Sequence, residues 1–113
     1  MAGAIYYGKR HMGNARLFKI TDSDEVVDVP LRLDLVNHSF DPEWGYAGSG
    51  PAQTALALLA DVTHDDPWAL AHYQDFKHSI VAQLQWEWAL SEAAIQTWVF
   101  LEQEREAALK GGT

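Results

Sequence analysis

The stretch WGYAGSGPAQTALALL, residues 44–59, decides the fold because it joins a glycine-rich turn to an almost unbroken apolar segment. Its glycines let the backbone turn sharply. Pro51 suits the first turn of a helix, where its missing N–H would be unpaired in any case. The stretch therefore predicts a loop over residues 37–50 that leads into a helix over about residues 51–62, and this helix is expected to be buried nearly all round.

The segments before this stretch have the composition or the apolar–polar alternation that is typical of β-strands. AIYYGKR and ARLFKIT, residues 4–10 and 15–21, are rich in aromatic and β-branched side chains and are separated by a turn. VVDVPLRLDLV, residues 26–36, alternates apolar and polar side chains, which predicts a strand with one buried face. Pro30 has no N–H to donate, so it indicates an edge position or a break. Strands are expected over about residues 4–36.

Two further helices are predicted beyond the central one. Asp66 is a suitable N-cap, and Pro67 a suitable first helical residue, for a helix over about residues 67–84. Ser91 is a suitable N-cap for a last helix over about residues 92–109.

The stretch between these helices, QWEWAL at residues 85–90, is predicted to run extended, which places Trp86 and Trp88 on the same side. Strands come first and helices follow. This order predicts an α+β domain with a small antiparallel sheet from the N-terminal third, packed by about three helices. The length predicts a single domain over residues 1–113.

The formal net charge is −8, and residues 1–20 hold four bases and no acid, so all sixteen acids lie beyond them. An acidic surface repels phosphates, which disfavours direct nucleic-acid binding and favours a basic host protein or nucleoprotein complex as partner. The chain has no cysteine, which excludes disulfides and thiolate chemistry. Without a signal peptide or a membrane-spanning apolar run, we expect a soluble protein of the bacterial cytoplasm.

Three stretches carry a resemblance to a known family: NHS at residues 37–39, WGYAGSGPAQTALALL at residues 44–59 and YQDFK at residues 73–77. They resemble a family of short bacterial, plasmid and phage proteins known only as a domain of unknown function, over about Leu31 to Leu84. The segment before Trp44, HSFDPEW, is shorter and differently ordered than the family pattern. The resemblance implies no known activity, and it implies a mobile-element setting.

One candidate site is the glycine-rich loop. Free N–H groups at the start of a helix attract anions, and nearby aromatic rings would form a wall beside them. The loop lacks the Lys-Ser/Thr pair of a P-loop, the spacing of a dinucleotide site and the serine turn of a hydrolase, so no catalytic residue is predicted. Tight packing against a core explains the glycines equally well. The ligand-binding candidates are His38, Trp44, Tyr46, Gly48, Ser49, Gly50 and Gln53.

A second candidate site is a partner-binding surface. Acidic residues group at the turn before the third strand and at the junction of the first two helices, and exposed tryptophans anchor protein interfaces. The partner-binding candidates are Asp22, Asp24, Glu25, Asp28, Asp61, Asp65, Asp66, Trp86 and Trp88.

A metal site is not predicted. His72, Asp75 and His78 follow one another at steps of three along one predicted helix. Each such step turns back by about 60°, so the three side chains drift across the surface instead of converging. No cofactor is expected.

Two classes of function remain open. The favoured one is a small acidic non-enzymatic protein-binding module of phage or plasmid type, for example an inhibitor of a host defence complex in the manner of an anti-CRISPR protein. The alternative is a ligand- or phosphate-binding domain with its site at the glycine-rich loop, and this class covers enzymes as well as simple binding proteins. The first class predicts a closed loop, and the second predicts a cleft beside Gly48 to Pro51.

Overall fold

The computed structural model describes residues 3–111. Its main elements confirm the α+β class: a four-stranded sheet in the order β3-β2-β1-β4 is accompanied by three α-helices. The elements in chain order are β1 (Ile5–His11), β2 (Asn14–Ile20), β3 (Val26–Asp28), α1 (Ser49–Thr63), α2 (Asp66–Ser79), a short 3-10 helix (Val81–Gln83), β4 (Trp88–Ser91) and α3 (Glu92–Gly111).

The centre of the sheet is the β1–β2 hairpin, in which Tyr6 lies opposite Lys19. Its two turn residues, Met12 and Gly13, both have positive φ, as a two-residue hairpin turn requires. β4 pairs antiparallel with the other edge of β1. The sheet therefore takes one strand from the C-terminal half of the chain, in addition to the strands expected from the N-terminal third.

The predicted strand over residues 26–36 is wrong for most of its length, because only Val26–Asp28 pairs with β2. Pro30 cannot donate a hydrogen bond, and Arg32 has a left-handed backbone with φ 62°. The N–H of Leu35 donates to the carbonyl of Arg32, which closes a turn. Leu31 and Leu35 therefore pack onto the core from a turn, Leu33 is exposed, and the chain leaves the sheet at this point.

α1 is the centre of the core. Every residue from Gly50 to Ala60 is buried, and Leu56 and Leu59 have no exposed surface, as the apolar run predicts. The helix begins at Ser49, within one residue of the glycine-proline boundary. Because α2, α3 and the 3-10 helix all contact it, α1 has no side on which a polar stripe would be solvated.

The later helices differ from expectation at their ends. The N-cap of α2 is Asp65, whose side chain accepts a hydrogen bond from the N–H of Trp68, so the cap lies one residue earlier than predicted. α2 stops at Ser79, and the chain continues as the 3-10 helix. Ser91 caps α3 as predicted, through the N–H of Ala94. Within residues 3–111, no helix is both long enough and apolar enough to cross a membrane.

Candidate partner-binding site

The glycine-rich loop is closed by side chains that pack on the first turn of α1. A Cβ atom at Gly50 would lie 2.6 Å from the Cβ of Glu43, and one at Gly48 would lie 2.6 Å from the ring of Tyr46. The N-cap, Gly48, offers no side chain to the free N–H groups. The small size of both glycines lets Glu43 and Tyr46 pack against this turn.

Gln53 fastens the preceding turn to α1. Its Nε2 donates to the carbonyls of Leu31 and Val36, at 2.7 and 2.9 Å. Its Oε1 accepts from the N–H groups of His38 and Ser39, at 2.8 and 3.3 Å. These contacts use the full hydrogen-bonding capacity of the carboxamide, so Gln53 has no polar group left for a ligand.

Two other ligand candidates also have partners inside the protein. The Nε2 atom of His38 lies 2.7 Å from the hydroxyl of Tyr73. Trp44 is buried, and its indole N–H donates to the carbonyl of Trp86 at 2.9 Å. Of the remaining non-glycine candidates, Tyr46 and Ser49 are exposed, and the structure brings Tyr46 to the edge of a surface depression.

Asp61 is part of the fold and not a free surface acid. Its carboxylate accepts from the Nζ of Lys19 at 2.7 Å and from the hydroxyl of Tyr6 at 2.5 Å. Burial, together with the hydrogen bond to Asp61, raises the pKa of Tyr6, so the phenol keeps the proton that it donates. These contacts tie α1 to the first two strands.

Asp66 is likewise engaged. The guanidinium of Arg32 forms two hydrogen bonds with it, at 2.9 and 2.7 Å, and two more with Asp34. These hydrogen bonds hold the pKa of both carboxyl groups below their usual range. Asp66 is therefore engaged by the fold, and Asp65 is exposed although its side chain caps α2.

The acidic side chains before and within the third strand are more exposed to solvent than those of Asp61 and Asp66. Asp28 pairs with Arg16 at 2.9 Å, and both side chains are largely exposed. Asp22, Asp24 and Glu25 are exposed in the turn between β2 and β3. The structure thus divides the acidic candidates into engaged and exposed ones.

The two candidate tryptophans differ in burial, and the extended run predicted from Gln85 begins only at Trp88. Trp88 is 7% exposed, and its indole lies directly against Gly8, where a Cβ atom would overlap it. Trp86 is 72% exposed. The cause is local: the extended strand begins only at Trp88, and Trp86 lies in the bend before it, where strand alternation does not apply.

Arg10 holds Trp86 in place. Its guanidinium carbon lies 4.1 Å from the centroid of the Trp86 ring and 4.4 Å from that of Trp44. The same guanidinium binds both carboxylate oxygens of Glu43, at 3.2 and 2.9 Å, and its Nε donates to the carbonyl of Trp86. Sequence reasoning missed Arg10, because its partners lie 33 and 76 residues away along the chain.

Beside this stack lies an open depression of about 540 Å³. Arg10, Glu43, Trp44, Tyr46 and Trp86 all line this depression. We use the name Trp86 surface for the side chains of Glu43, Tyr46 and Trp86. Trp86 and Tyr46 are exposed there, whereas the groups beneath them are paired or buried. The arrangement is an exposed aromatic ring, stacked on Arg10, at the edge of an open depression.

A four-stranded antiparallel sheet with three helices and this exposed aromatic ring defines the molecule as a small α+β domain with a candidate partner-binding surface. The chain belongs to the protein family DUF6166, a family of unknown function, which matches residues 6–101. The resemblance to a domain of unknown function is thereby confirmed, and the match extends beyond the stretch that carried it. No curated protein and no solved structure matches the chain.

Proposed function

We propose that this chain is a small acidic, non-enzymatic protein-binding module that contacts a basic partner through the Trp86 surface. The observation that carries the proposal is the 72% exposure of Trp86, whose ring and backbone are nevertheless held by Arg10 and Trp44. Buried tryptophans at the centre of an interface supply much of its binding energy. A ring that is fixed beforehand also loses little side-chain entropy on binding.

The charge of the chain supports a basic partner. The net charge is −8, and Asp22, Asp24 and Glu25 remain exposed in one turn. Complementary charge mainly accelerates association, and salt screens it over a Debye length of about 8 Å at physiological ionic strength. Direct binding to nucleic acid is not part of the proposal, since the phosphates would be repelled.

A concrete form of the proposal is the inhibition of a host defence complex in the cytoplasm of a bacterium, in the manner of an anti-CRISPR protein. Two things support this form: the acidic charge, which suits the basic surface of a protein or nucleoprotein complex, and the mobile-element setting that the sequence motif implies. It is tested by asking whether the chain, expressed in a bacterium with an active defence system, restores plasmid transformation or phage growth.

Affinity capture from a bacterial lysate tests the general proposal. Three baits are compared: the full chain, its Trp86→Ala variant and its Phe100→Ala variant. The Phe100→Ala variant is the control, because it removes another exposed aromatic ring, which is 57% exposed on α3. We expect a basic protein that is retained by the wild-type and Phe100→Ala baits and lost from Trp86→Ala. The affinity for the purified partner should fall by at least about thirtyfold, which corresponds to a hot-spot loss of about 2 kcal/mol.

Equal capture by all three baits would reject the Trp86 surface as the contact. If Trp86 carries the binding but the association rate is independent of salt, the basic character of the partner is wrong instead. Variants that neutralise Asp22, Asp24 and Glu25 together should slow association at low salt, while the free energy of unfolding stays within about 0.5 kcal/mol of the wild type.

A second candidate function is small-ligand binding, now at the depression beside Tyr46. The observation that favours it is the volume of about 540 Å³, which lies within the range of small-molecule sites, about 300–1,000 Å³. A ligand there would raise the thermal midpoint of the wild-type chain, and Tyr46→Ala would reduce that increase. Stabilisation by a small molecule, without retention of any protein partner, would favour this alternative over the binding module.

A further inference from the structure

A cluster of metal-ligating side chains lies where α2 meets α3. His72 and Asp75 are one turn apart on α2, and their ligand atoms lie within 4.8 Å of each other and of a carboxylate oxygen of Glu102 on α3. One turn further along α3, the Oε2 of Glu106 lies 3.1 Å from the Nε2 of His72. Two helices therefore bring His72, Asp75 and Glu102 together, with Glu106 beside His72.

The imidazole in this cluster is held in a fixed orientation. The side chain of His72 is only 9% exposed, and its ring stacks on Trp68 with 4.0 Å between centroids and an interplanar angle of 28°. Its Nε2 lies against the carboxylate of Glu106 on α3. A ligand that is oriented by packing before an ion arrives needs little reorganisation on binding.

Glu102 is the least exposed of the three carboxylates. The side chain of Glu102 is 15% exposed, and its carboxylate accepts hydrogen bonds from Arg105. Arg105 holds this carboxylate in place, although it also competes with a metal ion for the same oxygens.

We propose that His72, Asp75, Glu102 and Glu106 bind a divalent transition-metal ion of the zinc type between α2 and α3. Imidazole nitrogen combined with carboxylate oxygen suits zinc and its neighbours better than calcium or magnesium, which prefer oxygen alone. With metal–ligand bonds of about 2.1 Å, the ligand atoms of a tetrahedral site are about 3.4 Å apart. The ligand atoms of His72, Asp75 and Glu102, which lie within 4.8 Å of one another, need to approach by up to about 1.4 Å, and Glu106, which contacts His72, needs to turn toward the same point. Rotation of the exposed Asp75 and of the long glutamates allows these movements.

A bound ion would fasten the C-terminal turns of α3 to α2. Beyond Val99 most residues of this helix are exposed, so little apolar packing holds its last turns. An ion shared by the two helices would tie these turns to α2 and stabilise the folded chain in proportion to site occupancy. This inference is independent of the Trp86 surface, whose residues it does not use.

Zinc titration of the EDTA-treated full chain tests the proposal, with calorimetry for affinity and Co²⁺ absorption in the visible range for the ligand set. Two ligand variants, Asp75→Asn and Glu106→Gln, change exposed or half-exposed carboxylates, so both should fold. Their matched controls are His78→Gln on α2 and Glu104→Gln on α3, both exposed and outside the cluster.

We expect one zinc ion per chain and slower amide exchange over residues 102–111 when zinc is bound. Each ligand variant should weaken zinc binding by more than about tenfold, because even the loss of an outer partner of a metal ligand costs about 10–100-fold. The controls should bind like the wild type, and magnesium should not compete. The proposal is overturned by an absence of zinc binding, or by ligand variants and controls that bind zinc equally.

Discussion

The glycine-rich loop and the Trp86 surface adjoin each other, yet they use their side chains in opposite ways. In the loop, all four hydrogen bonds of the Gln53 carboxamide go to backbone groups of the chain itself. Gly50 has no side chain, and this leaves room for Glu43 to pack against the helix. At the surface, the backbone of Trp86 is engaged while most of its indole faces solvent. The difference teaches that a conspicuous sequence motif can report packing alone, while an exposed aromatic ring lies beside it.

The largest effect expected among the loop variants comes from Gln53→Ala, which tests whether this side chain stabilises the fold by fastening the preceding turn to α1. This change removes four hydrogen bonds, each contributing about 1 kcal/mol, and leaves their backbone partners without the carboxamide. We expect the free energy of unfolding, measured by urea denaturation, to fall by about 4 kcal/mol. The control is Gln103→Ala on the exposed face of α3, which should change it by less than about 0.5 kcal/mol. Equal, small effects would contradict the role given to Gln53.

A smaller effect is expected for Gly50→Ala. The new methyl group would lie 2.6 Å from the Cβ of Glu43, which belongs to the stem of that side chain and cannot swing away. Overpacking destabilises by about 1–3 kcal/mol, and the better helix propensity of alanine offsets up to about 1 kcal/mol of this. Thermal and urea unfolding should therefore show a net loss of about 1–2 kcal/mol.

The matched control for this change is Gly111→Ala at the end of α3, where an added Cβ atom would have no neighbour within 4 Å. It should leave the free energy of unfolding unchanged or slightly raise it. If Gly50→Ala behaves in the same way, the first turn of α1 is open, and the loop regains its standing as a ligand site.

Trp86→Ala should have little effect on stability, in contrast to its effect on partner binding. The change removes the cation–π contact with Arg10, which contributes about 0.5–1 kcal/mol at exposed sites. Trp44→Ala, at a ring that is 2% exposed, should cost about 3–5 kcal/mol by the same urea measurement. Similar losses for the two variants would show that Trp86 is a packing residue, and the contrast between the two regions would disappear.

The smallest expected effect concerns anions at the loop. Because Glu43 and Tyr46 cover the first turn of α1, phosphate should not raise the thermal midpoint beyond the general effect of ionic strength. The comparison is with Ser49→Glu, which places a negative charge at an exposed side chain next to the covered N–H groups. Both proteins should respond alike in differential scanning fluorimetry. A phosphate stabilisation confined to the wild type would reopen the loop as an anion site.

Sequence reasoning was accurate where the interactions are local. The apolar run of α1, the serine cap of α3 and the hairpin of β1 and β2 each depend on residues a few positions apart, so the sequence contains their full signal. It was inaccurate over residues 30–36, where alternation indicated a strand. Alternation shows that every second side chain is apolar, but it cannot show that a neighbouring strand is there to pair with the backbone.

By itself, therefore, the sequence determined the α+β class, the central buried helix and the family to which the chain belongs. Tertiary structure alone decided that β4 joins β1, that Arg10 lies between two tryptophans and that Asp66 is bound to Arg32. The physical reason is distance along the chain. A helix or a cap is specified by neighbours within a few residues, whereas a salt bridge, an aromatic stack or an exposed ring depends on which remote segment folds against it.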